Sequence, residues 1–276
     1  MSENGKVYGR FSQHIGKYPL VLVAPNDIEL IWDGGEIRRK FFDTLLAQLD
    51  KEYLEHLITY QAQLRQRNGL LKMFAERNAI DRDLIASYNE QLVVSGTIIY
   101  NKRLEFTRQY LPLVEERYGF LVERSSENAG MIYESDLHTM DFLTELNQRL
   151  DRDVLAGRTT IGIHRDDFVF TLGGIDLKKF GSQGQQKSFL IALKLAEFDC
   201  LKKKNGFTPL LLLDDIFDKL DDYRIVQLMK LVSGGTFGQI FITDARPGRS
   251  LDVLNEAKVK SQNFIVDGGT ASLHNS

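Results

Sequence analysis

The chain has 276 residues, 43% of them hydrophobic and 10% aromatic, enough to bury a sizeable core in one large domain or two smaller ones. Its 35 basic and 38 acidic side chains leave a formal net charge of −3, so any nucleic-acid contact has to rest on a local basic patch and not on overall charge. A single cysteine, Cys200, excludes an intrachain disulfide and suits a reducing compartment; with no run of 18 apolar residues and no signal-peptide core, a soluble cytoplasmic chain without membrane contact is expected.

Residues 18–23, YPLVLV, form a short apolar run closing on Ala24-Pro25-Asn26-Asp27, the pattern of a strand followed by a turn that Asn26 or Asp27 can cap. The cluster Arg38-Arg39-Lys40 reads equally as a solvated helix start or as a phosphate contact. From 41 to 74 apolar residues recur three or four apart (Phe42, Leu45, Leu46, Leu49, Tyr53, Leu57), which predicts a long amphipathic helix broken near Asp50. A second helix is predicted over 81–110, and Asn78-Ala79-Ile80 is a short enough connection to make the two antiparallel. Pro112 is expected to kink or end it.

Residues 120–124 and 131–134 read as short strands, 136–151 as a helix and 159–163 as strand-like. His164, beside Arg165, Asp166 and Asp167, reads as catalytic or as part of a charged hydrogen-bond network; without a nucleophile or metal-ligand spacing, the network is expected. Residues 169–172 and 175–177 around Gly173-Gly174 read as a hairpin.

Residues 180–221 carry the chemistry. Four consecutive leucines, Leu210 to Leu213, precede Asp214-Asp215; such a run predicts a central parallel strand with both faces covered. Ligands of open α/β sheets bind beyond the carboxyl ends of strands, and an acidic pair there has the Walker B pattern: Asp214 to hold Mg²⁺, Asp215 to orient or deprotonate a water. The plainer alternative is a buried strand whose aspartates cap the next turn. Upstream, Gly181-Ser182-Gln183-Gly184-Gln185-Gln186-Lys187-Ser188 leads into an amphipathic helix, a device that presents free backbone N–H groups to an anion. Gln186 stands where a Walker A loop requires glycine, so this is not Walker A; a Gly/Ser/Gln loop ahead of a Walker B strand follows the order of an ABC-type signature loop. A helix over 223–231, a second buried strand over 239–243 and a last strand with its turn over 263–270 complete the reading.

The segments GIHRDDF (162–168), FGSQGQQKSFLIALKLAEF, LLLLDDIFDKLD, PNDIELIWDGGEIRRKFFD and LRQRNGLLK together resemble the RecF family of DNA replication and repair proteins, relatives of the SMC-type ABC ATPases, over nearly the whole chain. The resemblance implies an α/β fold, part of an ABC-type ATPase head with a P-loop NTPase-like sheet and flanking helices, carrying an inserted, mainly helical second lobe. It implies three segments: 1–37 as the tail of the first half of lobe I, 38–155 as lobe II, and 156–276 as the rest of lobe I. ATP with Mg²⁺ would lie between two subunits, with Ser182, Gln183 and Gly184 reaching the γ-phosphate and Gln185, Asp218, Asp221 and Thr243 as further nucleotide-contacting positions. Asp214 would hold the metal and Asp215 act as base. The implied partners are DNA, RecR, RecO and a second copy of the chain, in replication, recombination, repair and the SOS response. Ile163 replaces a usual proline, Thr243-Asp244-Ala245 replaces a threonine-rich switch, and the family's opening Walker A loop does not occur in the sequence. A binding module for DNA or a repair partner, without ATP turnover, is therefore the competing expectation.

Overall fold

The computed structural model describes all residues except 1, 4, 8, 10–13, 123–126, 217–219, 247, 257–258 and 275–276. In chain order the elements are β1 (Ser2–Glu3), β2 (Lys6–Val7), β3 (Leu20–Val23), a 3-10 turn (Pro25–Ile28), α1 (Glu29–Trp32), α2 (Gly35–Leu49), α3 (Lys51–Arg77) and α4 (Arg82–Val122). Then follow β4 (Ala129–Glu134), a 3-10 turn (Asp136–His138), α5 (Phe142–Gln148), α6 (Leu150–Ala156), β5 (Asp167–Leu172), β6 (Ile175–Asp176) and α7 (Leu177–Phe180). The remainder is α8 (Gln183–Asn205), β7 (Leu210–Asp214), α9 (Asp222–Ser233), β8 (Ile240–Thr243), α10 (Arg249–Glu256), β9 (Asn263–Asp267) and β10 (Thr270–His274).

Two compact units divide the chain: Met1–Tyr18 with Glu29–Leu113 and Glu127–Phe180, and Pro19–Ile28 with Val114–Ser126 and Gly181–Ser276. These limits cross the sequence-drawn boundaries at 38 and 155, because residues 29–37 and 156–180 pack with the helices of the first unit.

In the first unit the helix break falls where the spacing predicts it. Asp50 is extended (φ −140°), and its side chain accepts from the amides of Glu52 (2.9 Å) and Tyr53 (3.2 Å), capping α3. Asn78, left-handed at φ 49°, ends that helix. Phe42 on α2 is fully buried, 4.1 Å ring to ring from Phe168, which lies on the middle strand of the antiparallel β4-β5-β6 sheet. A second cluster joins Leu71 and Phe74 of α3 to Ile85, Leu150 and Val154.

Charged groups are also buried here. Arg67 bonds Asp153 (2.8 Å), Asn89 (2.7 Å) and Thr159 (2.7 Å). Arg103 meets the Asp43 carboxylate (2.8 and 3.0 Å), the Ile163 carbonyl (2.8 Å) and Asp166 (3.3 Å). Burial raises the Asp166 carboxyl, which the Tyr133 hydroxyl also bonds.

Several expectations need correction. The second long helix does not stop near Tyr110 but runs through Pro112 to Val122, taking in residues 120–122 that read as a strand. Val114, Tyr118 and Leu121 continue the helical spacing and are buried, which offsets the roughly 3 kcal/mol cost of an interior proline. Residues 136–151 are not one helix: a 3-10 turn precedes α5, which restarts on Asp141, its carboxylate accepting from the Thr144 amide at 2.9 Å, and α6 follows. Residues 159–163 form a loop. The amides of Thr159 and Thr160 are spent on Asn68 (2.8 Å) and Asp153 (3.0 Å), and Gly162 has φ +119° against the Tyr60 hydroxyl, where no Cβ fits.

In the second unit β3, β7 and β8 form a parallel sheet in the order β3-β7-β8, with Leu211 opposite both Val21 and Ile240. The 23-residue α8 packs against β3 and buries Phe189 to Leu193 with Leu195, Ala196 and Phe198. Val21, Val23, Leu211 and Leu213 are the buried residues of the sheet. The other face corrects the expectation of a strand covered on both sides: Leu20 (43%), Leu22 (42%), Leu210 (38%) and Phe241 (50%) are exposed. The leucine run therefore alternates, because the described residues of this unit cover one face only, and β8 is likewise not a buried strand. Asp199 on α8 takes a two-pronged bond from Arg117 (2.7 Å each), and β9 pairs with β10 in a hairpin.

Candidate nucleotide site

Asp214 and Asp215 stand at the carboxyl end of β7, the middle strand. Asp214 pairs in register with Thr243 of β8, whose hydroxyl donates to Asp214 Oδ1. Asp214 is exposed, and its Oδ2 has no hydrogen-bond partner among the described residues. Asp215 turns the chain sharply away: its φ of 46° is left-handed, and its amide donates to the Thr243 carbonyl (3.1 Å) and leans on the Thr243 hydroxyl (3.4 Å). A side chain held in that backbone region marks a place where tertiary structure overrides local preference, which concentrates at functional sites.

One free carboxylate oxygen at a strand end suits Mg²⁺, which takes one or two carboxylates and fills its remaining positions with water and phosphate. Among the described residues no group of three or more His, Cys, Asp or Glu side chains converges to form an all-protein cage. The residues present thus fit a hydrated Mg²⁺ held through Asp214.

The start of α8 is built by its own sequence. Ser182 is the cap: its hydroxyl accepts from the Gln185 amide (3.3 Å), while its amide donates to Gln185 Oε1 (2.7 Å). That reciprocal box commits the Ser182 and Gln185 side chains to the helix, which sequence reasoning did not foresee. Ser182 and Gln183 are exposed, and the amides of Gln183 and Gly184 meet no acceptor among the described residues, so two N–H groups at the positive end of the helix remain for an anion.

Asp221 caps α9, its carboxylate accepting from the Arg224 amide at 2.8 Å and pairing with the Arg224 guanidinium. That guanidinium also lies against Gly184, where an added Cβ would come within 2.9 Å of Nη1. The fold thus ties Asp221 to the first turn of α8, through an arginine that sequence reasoning passed over; the separation of 184 from 224 in the chain carried no signal for it. Asp218 lies outside the described residues. At the other side of α8, Lys194 sits 3.7 Å from Asp27 and 3.5 Å from Glu197, and burial raises the Glu197 carboxyl.

His164 is not in this site. Its Nε2 lies 3.1 Å from the Thr159 carbonyl and must carry the proton, so Nδ1 accepts from the Tyr60 hydroxyl at 2.8 Å. Burial pushes its pKa down to about 4, which keeps it neutral. Cys200, half-buried on α8, has its thiol pushed up to about 12 by burial. No helix among the described residues is long and apolar enough to cross a membrane.

A parallel sheet ending in Asp214-Asp215, with the capped start of a long helix packed on it, belongs to an ABC-type ATPase head. The chain is 47% identical over 261 residues to the DNA replication and repair protein RecF of Flavobacterium johnsoniae, covering 95% of this chain and 71% of the relative. It is 43% identical over 264 residues to that of Cytophaga hutchinsonii, covering 96% and 70%. The chain belongs to the RecF family of DNA replication and repair proteins. Two solved structures of the recombination mediator protein RecF in the RecFOR pathway share its fold. The RecF-ATP structure matches at 28% identity and a TM-score of 0.83, covering 99% of this chain and 72% of that one. The RecF-ATPrS structure matches at 27% identity and a TM-score of 0.81, covering 98% and 71%. No family model matches the chain.

Proposed function

We propose that this chain supplies the signature-loop and Walker B half of a RecF-type ATPase that holds ATP between two subunits, binds DNA as that dimer and helps load recombinase at gaps. The observation that carries the reading is the Asp214–Thr243–Asp215 arrangement at the end of a central parallel strand. Asp214, its Oδ1 held by Thr243, offers Oδ2 to a hydrated Mg²⁺; the metal, when bound, neutralises phosphate oxygens. Asp215, fixed by its amide bonds to Thr243, orients or deprotonates the attacking water. The amides of Gln183 and Gly184, behind the Ser182–Gln185 cap, take the γ-phosphate of the nucleotide held by the other subunit. Asp218 and Asp221 follow β7 as the D-loop, and Arg224 keeps Asp221 and the turn at Gly184 together. Residues 38–155 serve as the helical arm, and RecR, RecO and DNA are the partners that the relatives' pathway supplies, in the cytoplasm.

The sequence contains no G-x-x-x-x-G-K-[ST] segment to cradle the β and γ phosphates. The chain on its own is therefore expected to bind ATP only weakly, with a dissociation constant above roughly 100 μM by calorimetry, and to show no turnover. Micromolar affinity together with turnover abolished by Asp215→Asn would contradict this division of labour.

A further inference from the structure

The first unit holds a cavity of about 940 Å³ that the nucleotide reading does not use. Its lining has two kinds of chemistry. One part is cationic, formed by Arg39 and Lys40 of α2 and Arg165 of the loop before β5. Lys40 and Arg165 are exposed, and neither makes an ion pair among the described residues; Arg39 spends Nη1 on the Asp166 carbonyl. Arg103 and two carboxylates, Glu36 and Asp43, also line it, with the buried Arg103 guanidinium spent on Asp43 and Asp166. Asp43 is already committed to Arg103 and the Tyr53 hydroxyl, which leaves Glu36 as the remaining negative group. His164 contributes no charge, being held neutral chiefly by burial, so Arg39, Lys40 and Arg165 against Glu36 leave the lining net positive. The lining also has an aliphatic part, with Leu54, Leu57, Leu64 and Ile15.

We infer that this cavity docks a short acidic peptide segment of a partner protein, its carboxylates on Lys40 and Arg165 and its apolar side chains against Leu54 and Leu64. The volume is at the upper end of the roughly 300–1,000 Å³ of ligand-sized clefts, room for a few side chains and too confined for a duplex. Single-stranded nucleic acid fits the wall less well, because it is held on free aromatic faces. Tyr60 is buried with its hydroxyl on His164, and the exposed Tyr18 ring packs on His14 at 5.6 Å and under the Lys17 ammonium. The inference concerns a different unit from the nucleotide site and stands or falls apart from it.

The test is fluorescence anisotropy of the whole chain with three fluorescein-labelled octapeptide pools: Asp/Glu with Leu/Phe, Asp/Glu with Ser, and Lys with Leu. A twelve-residue oligothymidylate is the fourth probe. The acidic-apolar pool is expected to bind best, and to bind roughly tenfold more weakly to the Lys40→Glu/Arg165→Glu double variant, while Lys40→Arg retains it. Both positions are exposed and unpaired, so urea midpoints should stay unchanged and separate lost binding from lost folding. The inference is overturned if the parent chain does not bind the acidic-apolar pool, or if the double variant binds it equally. It is overturned too if the oligonucleotide is bound through Lys40 and Arg165 in preference to the peptide.

Discussion

The amide of Asp215 lies 3.1 Å from the carbonyl of Thr243 and 3.4 Å from its hydroxyl, so the residue expected to act on water is fixed through its backbone, and its carboxylate is unspent among the described residues. The same hydroxyl donates to Asp214. Thr243→Val, similar in shape but without the hydroxyl, should change stability by less than about 0.5 kcal/mol at this exposed place. In a version of the chain joined to a RecF-type Walker A segment, it should weaken Mg²⁺-dependent ATP binding several-fold by calorimetry, and Thr243→Ser should retain it. Equal affinity in parent and valine variant would remove Thr243 from the site.

The left-handed backbone of Asp215 separates folding from chemistry. Asp215→Ala should cost about 1 kcal/mol in urea unfolding, since alanine enters the left-handed region less readily than aspartate does. Asp215→Asn should fold as well as the parent, and Asp215→Gly no worse. A fully stable alanine variant would mean that the turn after β7 is not held in this conformation.

Arg67 and Asp153 are both fully buried and 2.8 Å apart. Arg67→Met would leave a buried carboxylate without its cation and should cost about 3–5 kcal/mol by urea unfolding. Adding Asp153→Asn should recover part of that loss. A single-variant cost below about 1 kcal/mol would show that the pair does not organise this unit.

His164 supplies a pH dependence. Its folded pKa, about 4, lies below the unfolded value of about 6.5, so below that pH the unfolded chain takes up a proton that the folded chain refuses. The stability held by the neutral ring is complete above pH 6.5 and is lost as pH falls toward 4. Compared with His164→Gln, the parent should lose on the order of 2 kcal/mol more between pH 7 and pH 4. Parallel pH profiles would mean that the ring is protonated in the folded chain.

Much of this was legible in the sequence where local chemistry decides the outcome. Asp50 caps the helix that follows it, and the apolar spacing over 41–74 belongs to one helix face, so short-range patterns placed that break. The errors fall where distant groups decide. Pro112 signals a helix end, yet the burial of Tyr118 and Leu121 carries the helix past it. Four leucines in a row carry no information on how many faces are covered, and Leu210 and Leu213 have opposite fates. The amides of Thr159 and Thr160 look available for a strand until Asn68 and Asp153 take them. In the site, Asp214 and Thr243 were each named, but their pairing is set by strand register, and Arg224 against Gly184 by packing.

The central claim is that Asp215 serves the chemistry while the start of α8 serves assembly on the nucleotide. It is tested most directly by sedimentation with ATP and Mg²⁺ of the chain joined to a RecF-type Walker A segment, comparing the parent with Asp215→Asn and Ser182→Arg. The account predicts that Asp215→Asn accumulates as an ATP-bound dimer because hydrolysis fails. Ser182→Arg, with a long side chain over the free amides of Gln183 and Gly184, should bind ATP yet remain monomeric. Hydrolysis at the parent rate by Asp215→Asn, or a normal ATP-dependent dimer of Ser182→Arg, would contradict it.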